Sequence, residues 1–208
     1  GFSGAGYNWA AFPLNAVLFP EGVLRLQIFE VRYLDMVQRC MTQDLSFGVV
    51  LLTQGGEVLA PTVTEQFMPG GTMAIIDQSM SNTPGLLHIN CRGGARFEVL
   101  HSERRPGGLW WAEATLVEPD LRIPIPSELQ GAADALERVF TALDEVPRER
   151  WPLLPPFQLD DCGWVANRWC DLLPLPNPQK HSLLMLDNPL IRLELLHDML
   201  DEHGLITS

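Results

Sequence analysis

Lysine is almost missing from this chain. Of the 14 basic residues thirteen are arginine, and Lys180 stands alone. A phosphate-binding loop needs Gly-Lys followed by Ser or Thr, so that backbone amides and an ammonium meet the phosphates. No Gly-Lys pair occurs, which excludes nucleotide hydrolysis of that type. Ser–Lys, Schiff-base or pyridoxal chemistry would have to use Lys180. That residue lies between Gln179 and His181, and we read it as an exposed helix lysine.

Cysteine is also scarce. The four residues, Cys40, Cys91, Cys162 and Cys170, include no C-x-x-C pair, which excludes a zinc ribbon and a thioredoxin motif. Cys162 and Cys170 are placed in a helical core, since free cysteine packs as a small hydrophobe. No His-Glu-x-x-His is present, and His197 and His203 are too far apart to share one helical face. His101-Ser102-Glu103 supplies the first part of the zinc-deaminase pattern without its Pro-Cys-x-x-Cys partner. The nucleophile elbow Gly-x-Ser-x-Gly is absent. We therefore expect no metal, no cofactor and no catalytic residue.

Long apolar runs and positive charge are missing too. The longest apolar run is Phe47–Leu52, far short of the roughly 20 residues of a membrane span. The formal net charge is −12, and both halves of the chain are acidic. Such a field repels nucleic acid and anionic membranes. No secretory signal is legible, so the expected location is the cytoplasm, with reduced thiols.

What remains is a globular composition. The 208 residues are 46% hydrophobic and 19% charged, enough for one large domain or two small ones. Residues 1–11 are Gly-rich at the start and are expected to form a flexible arm. Residues 12–118 carry strand patterns. Val23–Phe29 alternates, and Phe47–Leu52 reads as a strand buried on both faces. Thr72–Asp77, Leu86–Cys91, Arg96–His101 and Leu109–Val117 follow, punctuated by Pro69-Gly70-Gly71, Pro84-Gly85, Gly93-Gly94 and Pro106-Gly107-Gly108. This spacing predicts a small barrel. Leu34, Val37 and Met41 share one face of a helix within it.

Residues 119–126 read as an extended Pro-rich linker, and 127–208 as a helical subdomain. Ser127 and Gln130 resemble a capping box. Helices are expected to about Leu143, over Asp161–Leu173, after Asn177, and after an Asp187 cap with Pro189 in the first turn and Gly204 at the end.

Two clusters carry possible chemistry. Gly93 and Gly94 among Arg92, Arg96, Arg104 and Arg105 could line an anion pocket, or simply make a hairpin. Glu30 and Arg32 could form a part-buried ion pair joining strand to helix, or Glu30 could act as a general acid–base.

The motifs FPLNAVLFP and LQIFEVRY resemble the opening of the N-terminal domain of Lon proteases, above all in stand-alone bacterial proteins built around that domain. The match falls on Pro13, Leu14, Leu18, Phe19, Pro20, Ile28, Phe29, Glu30, Arg32 and Tyr33. FGVVLL, GGTMAII (with Gly71) and GGARFEV (with Gly93 and Arg96) resemble later strands of the family. DDCGWVANRWCDLLPLP and the segment after it resemble its helical continuation. Glu21 stands where the family often has Gly, and Arg25 and Val31 where it often has Pro.

The resemblance implies an α+β fold: a PUA-like β pseudo-barrel followed by a helical C-terminal subdomain. In full-length Lon this region recognises unfolded substrates, and the ATPase and Ser–Lys peptidase domains follow it. The implied function is a non-catalytic, ATP-independent recognition module that binds an unfolded polypeptide or a protein partner. The alternatives are a PUA-like RNA-binding module, or an enzyme using a polar pocket of Glu30, Arg32 and Arg96. The matched residues Pro13, Leu14, Phe19, Pro20, Phe29, Glu30, Arg32, Tyr33, Gly71, Gly93 and Arg96 are expected to hold the fold. Trp110, Trp111 and Arg25 are the candidate binding surface.

Overall fold

Alternation and apolar runs do become strands, and the strands close on themselves. The structure, a computed structural model, describes residues 6–57 and 64–206. The chain divides into two compact units, Gly1–Glu118 and Pro119–Ser208. The first carries six strands, β1 (Tyr7–Leu14), β2 (Val23–Ile28), β3 (Phe47–Gln54), β4 (Gln66–Thr83), β5 (Leu86–Arg104) and β6 (Trp110–Leu116), with one helix, α1 (Val31–Gln43). The strand order is β2-β5-β4-β3-β1-β6, and β6 also pairs with β5. That last pairing turns the sheet into a pseudo-barrel, which removes most of its edges.

Several boundaries differ from the sequence reading. Residues 7–11, expected in a flexible arm, belong to β1; residues 1–5 lie outside the described residues. The run Ala10–Leu14 is buried; β3 pairs in parallel with Ala11–Leu14 and β6 antiparallel with Tyr7–Ala11. Gly93-Gly94 does not make a hairpin. It lies inside the 19-residue β5, so Leu86–Cys91 and Arg96–His101 are one strand. Pro69-Gly70-Gly71 likewise lies inside the 18-residue β4.

Both internal glycines are required by close backbone approach. A Cβ on Gly93 would run into the Phe19 carbonyl, and one on Gly71 into the Val49 carbonyl. Glycine inside a strand commonly marks such a contact. Gly93 is also clasped by hydrogen bonds: Glu21 N–H donates to its carbonyl at 2.8 Å, and its own N–H donates to the Gly22 carbonyl at 2.9 Å.

The barrel core is dominated by aliphatic and aromatic side chains. Phe12, Ile28, Tyr33, Val37, Phe47 and Ile89 pack together, and Phe12 stacks on Tyr33 with ring centroids 3.9 Å apart. A second cluster gathers Ala11, Val50, Phe97, Ala112 and Ala114. Helix α1 buries Tyr33, Met36, Val37 and Cys40 on one face and leaves the other in solvent, as its helical periodicity requires.

The second unit is helical: α2 (Gln130–Ala142), α3 (Cys162–Leu172), α4 (Asn177–Leu184) and α5 (Pro189–Glu202), with short 3-10 turns. The Ser127 capping box does not form. A 3-10 turn occupies Ser127–Leu129, and the Ser127 hydroxyl meets Glu128. The cap of α5 is Asn188 and not Asp187: its Oδ1 accepts from Leu190 N–H at 3.0 Å and Ile191 N–H at 3.3 Å. Cys162, Trp164, Trp169 and Cys170 of α3 are all buried.

Residues 119–126 are extended but integrated with this unit. Asp120 accepts from Arg192 at 2.6 Å, and Pro124 bridges Asp161. Arg192, 1% exposed, also donates to the carbonyls of Leu183 and Leu186 and to Asn167 Oδ1. A buried guanidinium is tolerable only with such saturation.

Candidate functional site

The junction between β2 and α1 organises the barrel surface. Glu30 caps α1 through its backbone, its carbonyl accepting from Tyr33 N–H at 3.0 Å and Leu34 N–H at 2.9 Å. Arg32, in the first turn, is folded inward. Its Nη1 donates to Glu65 Oε1 at 3.0 Å and to the Gly108 carbonyl at 2.7 Å; its Nη2 donates to Glu65 Oε2 at 3.3 Å and Glu30 Oε2 at 3.4 Å. Trp110 Nε1 completes the network with a 3.2 Å bond to Glu65 Oε1. Burial, the largest single influence, pulls the Arg32 pKa down; the Glu65 hydrogen bond and the nearby Tyr33, Glu65 and Glu30 together outweigh it, so the net shift is upward. Arg32 therefore joins the start of α1, the residue before β4 and the β5–β6 hairpin.

Two concavities flank this junction. The larger is a groove of about 790 Å³ beside α1. Trp9, Met36, Met73, Leu109 and Trp111 supply much of its apolar wall, and Asp35 and Arg39 add charge on the α1 side. Val31, 71% exposed, stands on the same side. Trp111 carries the Arg105 guanidinium 4.0 Å above its ring, a cation–π contact that leaves an aromatic and a charge side by side. The smaller is a slot of about 320 Å³ lined by Phe12, Leu14, Arg25, Gln27, Phe29, Glu30, Tyr33 and Glu57.

The sequence-derived candidates divide between these places. Trp110 and Trp111 are adjacent on β6 and point to opposite faces, since side chains alternate along a strand. Trp111 lines the groove, whereas Trp110 packs edge-on against Phe67, 5.2 Å between centroids, and donates to Glu65. Arg25 is on β2 and lines the slot. Pro13 and Leu14 pair with Val50 and Leu51 in the sheet. Phe19 is fully buried, and Pro20 follows it in the turn that approaches Gly93. Phe29 is 55% exposed at the mouth of the slot.

Arg96 lies opposite Thr72 on β5 and donates to the Glu118 carbonyl at 3.3 Å. It lines neither the groove nor the slot, so Glu30, Arg32 and Arg96 do not assemble into one polar pocket. The arginines around Gly93 do not converge either. Arg92 meets Asp77 at 3.6 Å, and Arg105 meets Glu103 at 3.3 Å.

Glu65 was absent from the sequence-derived candidates, and Trp9 was not placed on the candidate binding surface. Trp9 was hidden in the segment read as an arm, although the apolar run that follows it signals a buried strand. Glu65 has no local signal, because its partner Arg32 is 33 positions away. Among the described residues no cluster of three or more His, Cys, Asp or Glu side chains is arranged to hold a metal ion, and no helix is long and apolar enough to cross a membrane.

Comparison with known proteins places this architecture. No curated protein matches the chain. Among solved structures, the Lon N-terminal domain protein from Xanthomonas campestris superposes with a TM-score of 0.71 and 33% identity, covering 91% of this chain and 96% of its own. The N-terminal domain of the Mycobacterium avium complex Lon protease shares the fold, with a TM-score of 0.61 and 18% identity over 95% of this chain and 100% of its own. The family model of the ATP-dependent protease La (LON) substrate-binding domain matches residues 8–202. With its six-stranded sheet followed by helices, the chain belongs to the LON substrate-binding domain family.

Proposed function

We infer that this protein is a non-catalytic recognition module that binds exposed apolar segments of unfolded polypeptides in the groove beside α1, in the cytoplasm and without ATP. The observation that carries this reading is the groove itself. Its 790 Å³ are walled by Trp9, Trp111, Met36, Met73 and Leu109. Tryptophan supplies large rigid contact area. Methionine adapts its shape to varied partners, which suits a surface that must accept many sequences. Arg105 stacked over Trp111 sets a charge beside the aromatic wall. Membership of a substrate-binding domain family supports the same reading. The net charge of −12 weighs against an RNA ligand.

The test is fluorescence anisotropy with labelled, reduced and carboxymethylated α-lactalbumin, against labelled single-stranded RNA. Saturable binding of the unfolded protein, weakened about tenfold or more by Trp111→Ala, is the expected result. Failure to bind the polypeptide, or equal binding of RNA, overturns the reading.

A further inference from the structure

Among the described residues the closure of the barrel does not run the full length of its strands. On one edge of β5, β2 covers Leu87–Arg92 and β6 covers Phe97–Arg104. Strand β6 goes on to pair with β1, but only over Tyr7–Ala11. Beyond Ala11, β1 pairs with β3 alone, and β2 pairs with β5 alone, among the described residues. The rest of β1 and the outer edge of β2 therefore face each other without a ladder between them. The 320 Å³ slot lies in that seam: Phe12 and Leu14 line it from β1, and Arg25 to Ile28 line it from β2.

The seam is furnished with hydrogen-bonding groups. Gly93 N–H donates to the Gly22 carbonyl, immediately ahead of the Val23–Arg92 pair. Antiparallel pairs alternate between hydrogen-bonded and non-hydrogen-bonded. Leu24 and Leu26 thus bond to β5, while Val23 and Gln27 turn their own N–H and C=O outward, away from β5. At the α1 side of the slot stands Tyr33, 3% exposed, whose hydroxyl has no hydrogen-bond partner among the described residues. Leaving such a group unmatched is costly, and native structures seldom do so without a reason. Burial raises the phenol pKa, so the group stays a proton donor.

We propose that the open seam between β1 and β2 receives an extended polypeptide segment as an added strand, with the backbone of Gln27 and Val23 pairing to it and the Tyr33 hydroxyl donating to one of its carbonyls. The inference rests on the polypeptide-binding reading above and names how the backbone is read. The outward donors and acceptors of an edge strand match a peptide backbone of any sequence, and Phe29 at the slot mouth offers an apolar contact. The groove would then choose side chains while the seam holds the main chain.

Three measurements with the same labelled α-lactalbumin decide it. In the wild-type protein, amide hydrogen exchange followed by NMR is expected to slow at least about tenfold at Val23 and Gln27 when the polypeptide is added. Leu24 and Leu26 should be protected with or without it. Gln27→Pro removes one outward donor and leaves the β5 ladder intact; binding should weaken about tenfold, the worth of one good hydrogen bond. Tyr33→Phe should weaken binding several-fold while melting at or above the wild-type temperature, because an unmatched polar atom is lost.

The proposal is overturned if the polypeptide binds and neither amide slows, or if both variants bind like wild type. The polypeptide-binding reading survives that result, provided Trp111→Ala still weakens binding. No binding at all removes both. Protection that appears without polypeptide and grows with protein concentration would make the occupant a second copy of this chain, and also overturns the proposal. Should Gln27→Pro fail to fold, the exchange data and Tyr33→Phe decide.

Discussion

Arg32 and Glu65 hold each other at 3.0 Å with side chains only 3% and 2% exposed. Truncating one member of such a pair strands the other in a low-dielectric interior, at a cost of about 3–5 kcal/mol. Arg32→Met should lower the free energy of unfolding by that amount in urea denaturation. The double variant Arg32→Met with Glu65→Leu should recover much of the loss, since both charges go together. An Arg32→Met protein of unchanged stability would show that the pair is not held in the barrel wall.

Glu21 has a φ of 64°, a conformation that costs a non-glycine residue about 1 kcal/mol or more. It follows Pro20 in a turn closed by Gly22 N–H to the Phe19 carbonyl at 2.9 Å. Proline in the second place and a positive φ in the third mark a type II turn, which favours glycine there. Glu21→Gly should therefore stabilise the protein by up to about 1 kcal/mol, less the added freedom of the unfolded chain. Gly93→Ala, which drives a methyl into the Phe19 carbonyl, should destabilise it by about 3 kcal/mol. Thermal melts of the two variants should shift in opposite directions.

Asp171 beside Arg168, 3.0 Å away, makes stability depend on pH. Burial pushes its carboxyl up to about 6, against the downward pull of Arg168. The unfolded chain releases this proton near pH 4 and the folded chain near pH 6. Stability from this group is therefore full below about pH 4 and declines as pH rises to about 6, by up to about 3 kcal/mol. Urea titrations at steps across this window should show the decline in the wild type and its loss in Asp171→Asn. An identical slope in the two proteins would refute the assignment.

The four thiols should be inert in the folded protein. All are buried. Burial pushes Cys91 and Cys170 up to about 12 and Cys162 up to about 11, and it raises Cys40 as well. The thiolate is the reactive species, so little of it exists at pH 8. A disulfide reagent should label the native protein slowly and all four cysteines rapidly in guanidinium. Fast labelling of any one in the native state would reveal local opening there.

The strand and helix content of this protein was legible in its sequence because it is local. Val23–Ile28 alternates, Phe47–Leu52 is continuously apolar, and α1 repeats its apolar residues at helical spacing; each pattern follows from the direction of the Cβ bonds alone. The family was legible too, because LQIFEVRY keeps its residues in one contiguous stretch. The negative findings on P-loop and C-x-x-C chemistry needed only composition and spacing.

The site was a different matter. Nothing near Glu65 in sequence says that it will neutralise Arg32. Nothing in Gly93-Gly94 distinguishes a turn from a strand pressed against the Phe19 carbonyl. Trp110 and Trp111 are chemically alike and adjacent, yet one packs on Phe67 while the other walls the groove, because the pleat sends neighbours to opposite faces. The seam between β1 and β2 exists only because β6 stops pairing with β1 at Ala11. Contacts between residues far apart in the chain, and the gaps that pairing leaves, are set by how strands of unequal length close into one barrel. That closure is a property of the tertiary structure, decided by the joint packing of all six strands and one helix.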